Sequence, residues 1–397
     1  MGILVKKRHG FYHLTRIGGL SILGLIIGLA SASINTIWAV YLNGFVNNAA
    51  MVGLIASFLT LVSFFSYFFF IPLIEKSSKK KLFSISLVLI FFFYILFSFI
   101  NNFYFFLLLA VLMVITYTLR ITSFGLIIRD NSKKQNLSKN EGVVYSLANT
   151  AWVIGPLIAG FVASRFGEKR VFLLAAVFLF IGFFFFKSIK VQKCGKQKPD
   201  KDIINNFIDF FRDRERIIAY VLGGGVNLWW TLIYLFIPLL IINSHLGDLW
   251  VGYFLFAIAV PLLLFETFFS NMAGKKGFKK IFKIGYLAVA ILAFVCFIFS
   301  SIYIILILLV LASVGMAMLE PTTEAYFFDI SSKKEEYRFY GPYNTAIDSL
   351  GFIGRISASL VLLIFPFKFL FILFGVFMFL LFLLSFKTKG IIEQRRQ

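Results

Sequence analysis

Apolar runs of about 20 residues, the length a helix needs to cross a bilayer, recur from one end of this chain to the other, with mostly short polar connections between them. Twelve can be placed: 18–42, 51–74, 82–100, 104–128, 143–163 and 171–189, then 218–242, 249–272, 284–300, 302–328, 343–365 and 368–386. A water-soluble fold cannot cover so much apolar sequence. Only 14% of the 397 residues are charged and 60% are hydrophobic, against about 25% charged in soluble domains. The expectation is an all-α membrane protein with twelve transmembrane helices. The first run follows Lys6, Lys7 and Arg8 and continues through Trp38 to Leu42, too long for a cleaved signal peptide, so it is expected to remain as a span.

Position explains the net charge of +21. With a cytosolic N-terminus, 33 of the 39 Lys and Arg fall in inner connections and four (Arg165, Lys169, Arg170, Lys368) in outer ones. That bias is the positive-inside signal. It predicts a multi-pass protein of the cell (plasma) membrane with cytoplasmic N- and C-termini, lying against anionic inner-leaflet lipids. Nucleic acid is not an expected partner. Cys194, Cys296 and the three histidines (His9, His13, His245) share no ligand spacing, so no metal or cofactor is expected. There is no Ser elbow, intramembrane protease pair or phosphate-cradling Gly-Lys loop, so neither an enzyme nor ATP-driven transport is expected.

One long polar connection, 190–217, divides the spans six and six, giving 1–189 as an N-terminal bundle and 218–397 as a C-terminal bundle with a short tail. The linker contains a helical pattern that puts Ile203, Ile204, Phe207, Phe210 and Phe211 on one face, after the start signals Pro199 and Asp200. An amphipathic helix lying on the inner leaflet is expected.

Sliding the chain by 199 residues aligns the two halves. Asp130 then meets Asp329, Gly142 meets Gly341, Gly155 meets Gly354 and Lys80 meets Lys279, while VFLLAAVFLF (171–180) meets LFILFGVFMF (370–379). Polar and glycine matches at one shared offset indicate a parallel duplication, a pattern of alternating-access transporters.

On these residues the chain resembles the major facilitator superfamily. The family's loop between spans two and three, G-x-L-[AS]-D-[RK]-x-G-[RK]-[RK], is matched by IPLIEKSSKKK (71–81): Leu73, Lys76, Lys79 and Lys80 fit, and Glu75 replaces the acid. Its second copy, SNMAGKKGFKK (270–280), keeps Ala273, Lys275, Gly277 and Lys279 but has Gly274 at the acid position. The resemblance implies a cytosolic latch built from Glu75, Lys76, Lys80, Lys275, Gly277 and Lys279. Span five carries Gly142, Ala151, Gly155, Pro156, Ala159 and Gly160 at the spacing of the family's antiporter-associated motif, with alanine replacing two of its glycines. The similarity is to the drug:proton antiporter branch. One departure is clear: the arginine usual in span four would fall at Ala110, whereas Arg120 lies ten residues further on.

Ionisable residues inside spans cost roughly 2.5–3.5 kcal/mol on insertion scales unless they face a partner or cavity. Arg120, Glu266, Glu320, Glu324, Asp348 and Arg355 are such residues. In the resembling fold, spans one, four, seven and ten line the cavity, which places Arg120, Glu320 and Glu324 there. Asp348 and Arg355 share one face of span eleven. Pro321 after Glu320 favours a kink. The expected roles are proton coupling or ion pairing, with Glu320 alternating between ionised and paired with Arg120, or protonated and released. Asn35, Trp38, Asn227, Trp229 and Trp230 would line a pocket for a bulky, partly apolar solute.

The leading expectation is a proton-coupled secondary transporter that exports hydrophobic or cationic small molecules by alternating access. Uptake or facilitated diffusion of a sugar or organic acid is the alternative within that class. A non-transporting receptor is the alternative outside it.

Overall fold

The computed structural model of the chain describes residues 5–8, 11–132, 137–189, 191, 203–331 and 333–390. A short antiparallel hairpin, β1 (Val5–Arg8) and β2 (Phe11–Leu14), precedes a wholly helical body. Helices α1 (Arg16–Val46), α2 (Ala49–Lys76), α3 (Lys79–Phe99), α4 (Phe103–Asp130), α5 (Leu137–Phe166) and α6 (Glu168–Ser188) form the first set. The short α7 (Ile203–Arg212) follows. The second set is α8 (Arg214–Thr231) continued by α9 (Ile237–Asn243), then α10 (Asp248–Lys276), α11 (Phe278–Ile298), α12 (Ile302–Ile330), α13 (Lys333–Ile364) and α14 (Phe369–Ser385). Eleven helical stretches among the described residues are long and apolar enough to cross a membrane. The twelfth expected span, α14, has 17 residues, the lower edge of the range that spans a bilayer.

The duplication read in the sequence is present in the element boundaries. A shift of 199 carries Lys79–Phe99 onto Phe278–Ile298, the full extent of α11. It carries Phe103–Asp130 onto α12 with a one-residue difference at the end. The packing repeats too: α3 packs on α4 and α6, and α11 packs on α12 and α14.

The chain clusters into two compact units. The first comprises Met1–Tyr41, Val62–Pro199 and Gly247–Tyr253; the second comprises Leu42–Leu61, Asp200–Leu246 and Phe254–Gln397. Inside the first, Tyr41 donates to the Phe97 carbonyl at 2.7 Å and its ring meets Phe172 edge-on at 4.7 Å. Trp38 joins the same knot through Phe97 and Phe106, with ring centroids 6.0 and 5.7 Å away. Inside the second, Tyr286 donates to the Leu222 carbonyl at 2.6 Å, and Tyr326 packs between Phe278 and Phe282. A buried hydroxyl in each core is thus satisfied by a neighbouring helix backbone, as burial requires.

The helix surfaces explain the composition. On α3, Phe83, Leu87, Ile90, Tyr94 and Phe97 are buried, while Ile85, Leu89, Phe92, Leu96 and Phe99 form a continuous exposed stripe. Both faces are apolar. A soluble protein rarely exposes so large an apolar patch, whereas lipid chains accommodate one without cost.

The linker helix departs from expectation. Phe210 is buried against the rings of Tyr220, Phe327 and Phe339 rather than turned outward with Phe211, which is exposed, as is Ile208. Arg338 fixes the helix by donating to Asn206 at 2.6 Å and to Asp209. The aromatic socket splits the apolar side of α7 in two, one part facing protein. Ile203 and Ile204 have side chains outside the described residues.

Candidate functional site

The second unit concentrates the unusual chemistry of the chain. Its first spanning element is interrupted at Leu232–Phe236 by a π-helical turn in which Ile237 donates to the Leu232 carbonyl, five residues back. Pro238 supplies the cause. It has no N–H to give the Tyr234 carbonyl, and its ring clashes with that carbonyl in a regular α-helix. One wider turn relieves both problems, and such turns are frequent at functional sites. Trp230 and Tyr234 flank this irregularity with ring centroids 5.6 Å apart.

Glu320 of α12 belongs to the same cluster. The Trp230 indole is within hydrogen-bonding reach of its carboxylate, and Tyr234 and Glu266 lie within its electrostatic reach. The arrangement is a carboxylate beside one indole and one phenol, with a second carboxylate nearby. Such a group can carry a proton or hold a cation against aromatic faces. Pro321 does not break α12, which runs unbroken to Ile330. Local hydroxyls cap carbonyls around the proline instead: Thr322 donates to Met318, and Thr323 donates to Glu320 at 3.2 Å. Glu324, one turn on, accepts from Tyr340 at 2.7 Å.

Arg355 and Asp348 sit on α13 as predicted, within electrostatic reach of each other, but no ion pair within 4.0 Å joins them among the described residues. Arg355 donates instead to Thr60 of α2. The two helices approach closely at that level, since a Cβ on Gly53 would overlap the Ser359 hydroxyl.

In the first unit, Arg120 is buried, donates to Ser31 at 3.3 Å and lies 4.2 Å from the Tyr117 ring centroid. Its Nε has no hydrogen-bond partner among the described residues. Asn35 spends its amide on the Ser31 carbonyl at 2.9 Å. The five expected pocket residues are not equivalent. Trp229 is fully buried, its indole N–H without a hydrogen-bond partner among the described residues, which differs from its expected place on a cavity wall. Trp38 is engaged in the Phe97–Phe106 knot. Trp230 is half-buried and faces Glu320, and Asn227 lies one turn earlier on α8, its carbonyl accepting from Thr231 at 3.0 Å.

The span-five residues form a packing stripe along α5. Ala151 is buried opposite Gly28 of α1, and Gly155 is so close to Ala32 that a Cβ would lie 2.6 Å from it. At Gly160 the contact is glycine on glycine, with a Cβ reaching 2.8 Å from the Gly252 Cα. Pro156 contributes its carbonyl, which any side chain at Gly252 would strike. Gly142 lies in the helix, with surroundings outside the described residues.

The latch residues divide. The side chains of Glu75 and Lys76 lie outside the described residues. Lys80 rests 5.9 Å from the Phe186 ring centroid, Lys275 is exposed, and Gly277 opens α11 with φ +89°. Sequence reasoning missed the ion pair between Lys79 and Asp130, 2.6 Å long with both side chains 9% exposed. The signal was available, since Asp130 ends α4 and Lys79 starts α3.

Two consecutive sets of six spans, repeated in sequence, with acids and an interrupted helix inside one set, define a membrane transporter. The sequence matches the description Major Facilitator Superfamily over residues 20–264 and again over 229–391. The chain belongs to that superfamily. No curated protein matches it. Among solved structures it is similar to a POT family transporter in complex with a thioalcohol-conjugated peptide, at 15% identity, a TM-score of 0.75 and coverage of 95% of this chain and 96% of that one. It is also similar to a D-xylose–proton symporter (12%, TM-score 0.74, 94% and 97% covered) and to the nucleoside transporter NupG (13%, TM-score 0.75, 95% and 100% covered). At these identities the structures share the fold.

Proposed function

We propose that this chain is a proton-coupled secondary transporter of the cell membrane that exports hydrophobic or cationic small molecules. The observation that carries this reading is the Glu320 carboxylate, placed in a spanning helix beside Trp230 and Tyr234 with Glu266 in reach. Two aromatic rings beside two acids suit a cation with apolar substituents, because ring faces attract positive charge while the rings cover carbon. A proton competing with that cation for Glu320 couples their fluxes in opposite directions, and protonation of Glu320 is the proposed switch. The bundles 1–189 and 218–397 are the proposed moving bodies, with both termini cytoplasmic and the Glu75–Lys80 and Lys275–Lys279 loops as latches. A second reading, proton-driven uptake, is supported by the similarity to a D-xylose–proton symporter.

Purified protein in liposomes with an imposed pH difference separates the two. Antiport concentrates a fluorescent lipophilic cation in the acidic compartment, and symport concentrates its substrate in the alkaline one. A distribution indifferent to the pH difference, compared with protein-free liposomes, refutes proton coupling of that cation.

A further inference from the structure

Four lysines converge at one end of the second unit, around a cavity of about 350 Å³ lined by Lys276, Gly277, Lys279, Lys280, Lys283 and Gly390. None of the four ammonium groups forms an ion pair among the described residues. Lys283 is placed by the Phe386 ring, 3.7 Å from its centroid, which holds the charge without neutralising it. The equivalent place in the first repeat is arranged differently. There Lys79 is compensated by Asp130 at 2.6 Å. A shift of 199 turns Lys79 into Phe278, which packs on Phe282 and Tyr326 with centroids 6.2 and 5.8 Å away. The second copy has therefore exchanged its internal ion pair for an aromatic contact, and it carries Gly274 where the loop motif has its acid. Its remaining lysines at this end form no ion pair within 4.0 Å among the described residues, and Asp329 stands where the first copy has Asp130.

Shape and depth narrow the anion that such a lysine cluster would take. Lysine offers a point charge on a flexible stem, which suits a tetrahedral phosphate, whereas planar carboxylates are matched better by arginine. Gly277, with φ +89° and no side-chain cap, opens α11 here and leaves the first-turn N–H groups turned toward the same end. The cavity lies where α10 ends and α11 begins, just beyond the end of α14, hence at the depth of lipid headgroups rather than of acyl chains. We propose that this cavity is a phosphate-binding site, occupied by the headgroup phosphate of an anionic phospholipid. The site does not depend on the transport reading above.

Native mass spectrometry of the purified full-length protein tests it. Wild type is expected to retain phosphatidylglycerol in preference to phosphatidylcholine. The combined Lys279→Gln, Lys280→Gln and Lys283→Gln variant is expected to retain it roughly a hundredfold less, since each lysine near an anionic headgroup contributes about fivefold. The matching Lys→Arg variant is expected to keep retention, and circular dichroism checks folding. If the triple variant does not fold, Lys279→Gln alone is expected to lose about fivefold. A second arm measures the thermal shift produced by inorganic phosphate: a shift in wild type, absent in the glutamine variant, assigns the site to free phosphate. Equal retention by wild type and the glutamine variants, with no phosphate-dependent shift, overturns the proposal.

Discussion

Gly155 offers a sharp test of the helix-five packing. A Cβ there lies 2.6 Å from the Ala32 Cβ, whereas carbon atoms attract best at about 3.5–4.0 Å. Both carbons are fixed to helix backbones, so no side-chain rotation relieves the overlap, and α1 and α5 must part by about 1 Å. Overpacking of this kind costs about 1–3 kcal/mol. Replacing a helical glycine by alanine returns about 0.5–1 kcal/mol in backbone entropy, leaving Gly155→Ala a net loss of about 1–2 kcal/mol. Gly125 on α4 is the control, because a Cβ there meets nothing within 4 Å. Gly125→Ala should therefore gain about 0.5–1 kcal/mol from the backbone term alone. Denaturant unfolding in mixed micelles, followed by tryptophan fluorescence, measures both. The two alanines are expected to act with opposite sign, and Gly155→Leu should lower transport more than expression. If Gly155→Ala is as stable as Gly125→Ala, the close crossing of α1 and α5 is not a determinant of stability.

Asp130→Asn leaves Lys79 buried without its counter-charge, and a loss of about 3 kcal/mol in the same unfolding assay is expected; an unchanged midpoint would show that the pair is solvated. Phe210→Ala empties the socket formed by Tyr220, Phe327 and Phe339. It should cost about 3–5 kcal/mol locally, read as faster hydrogen exchange across 203–212 with the exchange of α11 unaltered. Trp230→Phe keeps the apolar wall but removes the indole donor to Glu320, so coupled transport should fall while the protein still inserts and folds, with a loss in the unfolding assay of about 1–3 kcal/mol.

The fold was legible because lipid imposes a length on every span, and the duplication was legible because polar landmarks such as Asp130 and Asp329 share one offset. The orientation of each helix about its own axis was not. On α3, buried Phe83 and exposed Phe92 are the same residue type in the same apolar run, so no periodicity separates core from surface. The surroundings of Phe210 on the linker helix were not legible for a related reason. Its hydrophobic face could serve protein or lipid, and only the aromatic socket around Phe210 decides. At the site, Glu320 and Trp230 were readable as polar or amphipathic residues inside spans, and Trp229 was misplaced because adjacent tryptophans point to different sides of a helix. The π-turn had a signal in Pro238. The Lys79–Asp130 pair had a signal too, an acid ending α4 and a lysine starting α3.

The most direct test of the central claim is the flux carried by Glu320→Gln in proteoliposomes. The variant keeps the size and hydrogen-bonding capacity of the side chain and removes only its titration. Two rates are compared under identical protein density: accumulation of a lipophilic cation driven solely by an imposed pH difference, and exchange of the same cation with no gradient. Loss of pH-driven accumulation with exchange retained is the predicted result. A glutamine variant that still concentrates the cation against its gradient would show that Glu320 is not the coupling group and would contradict the account.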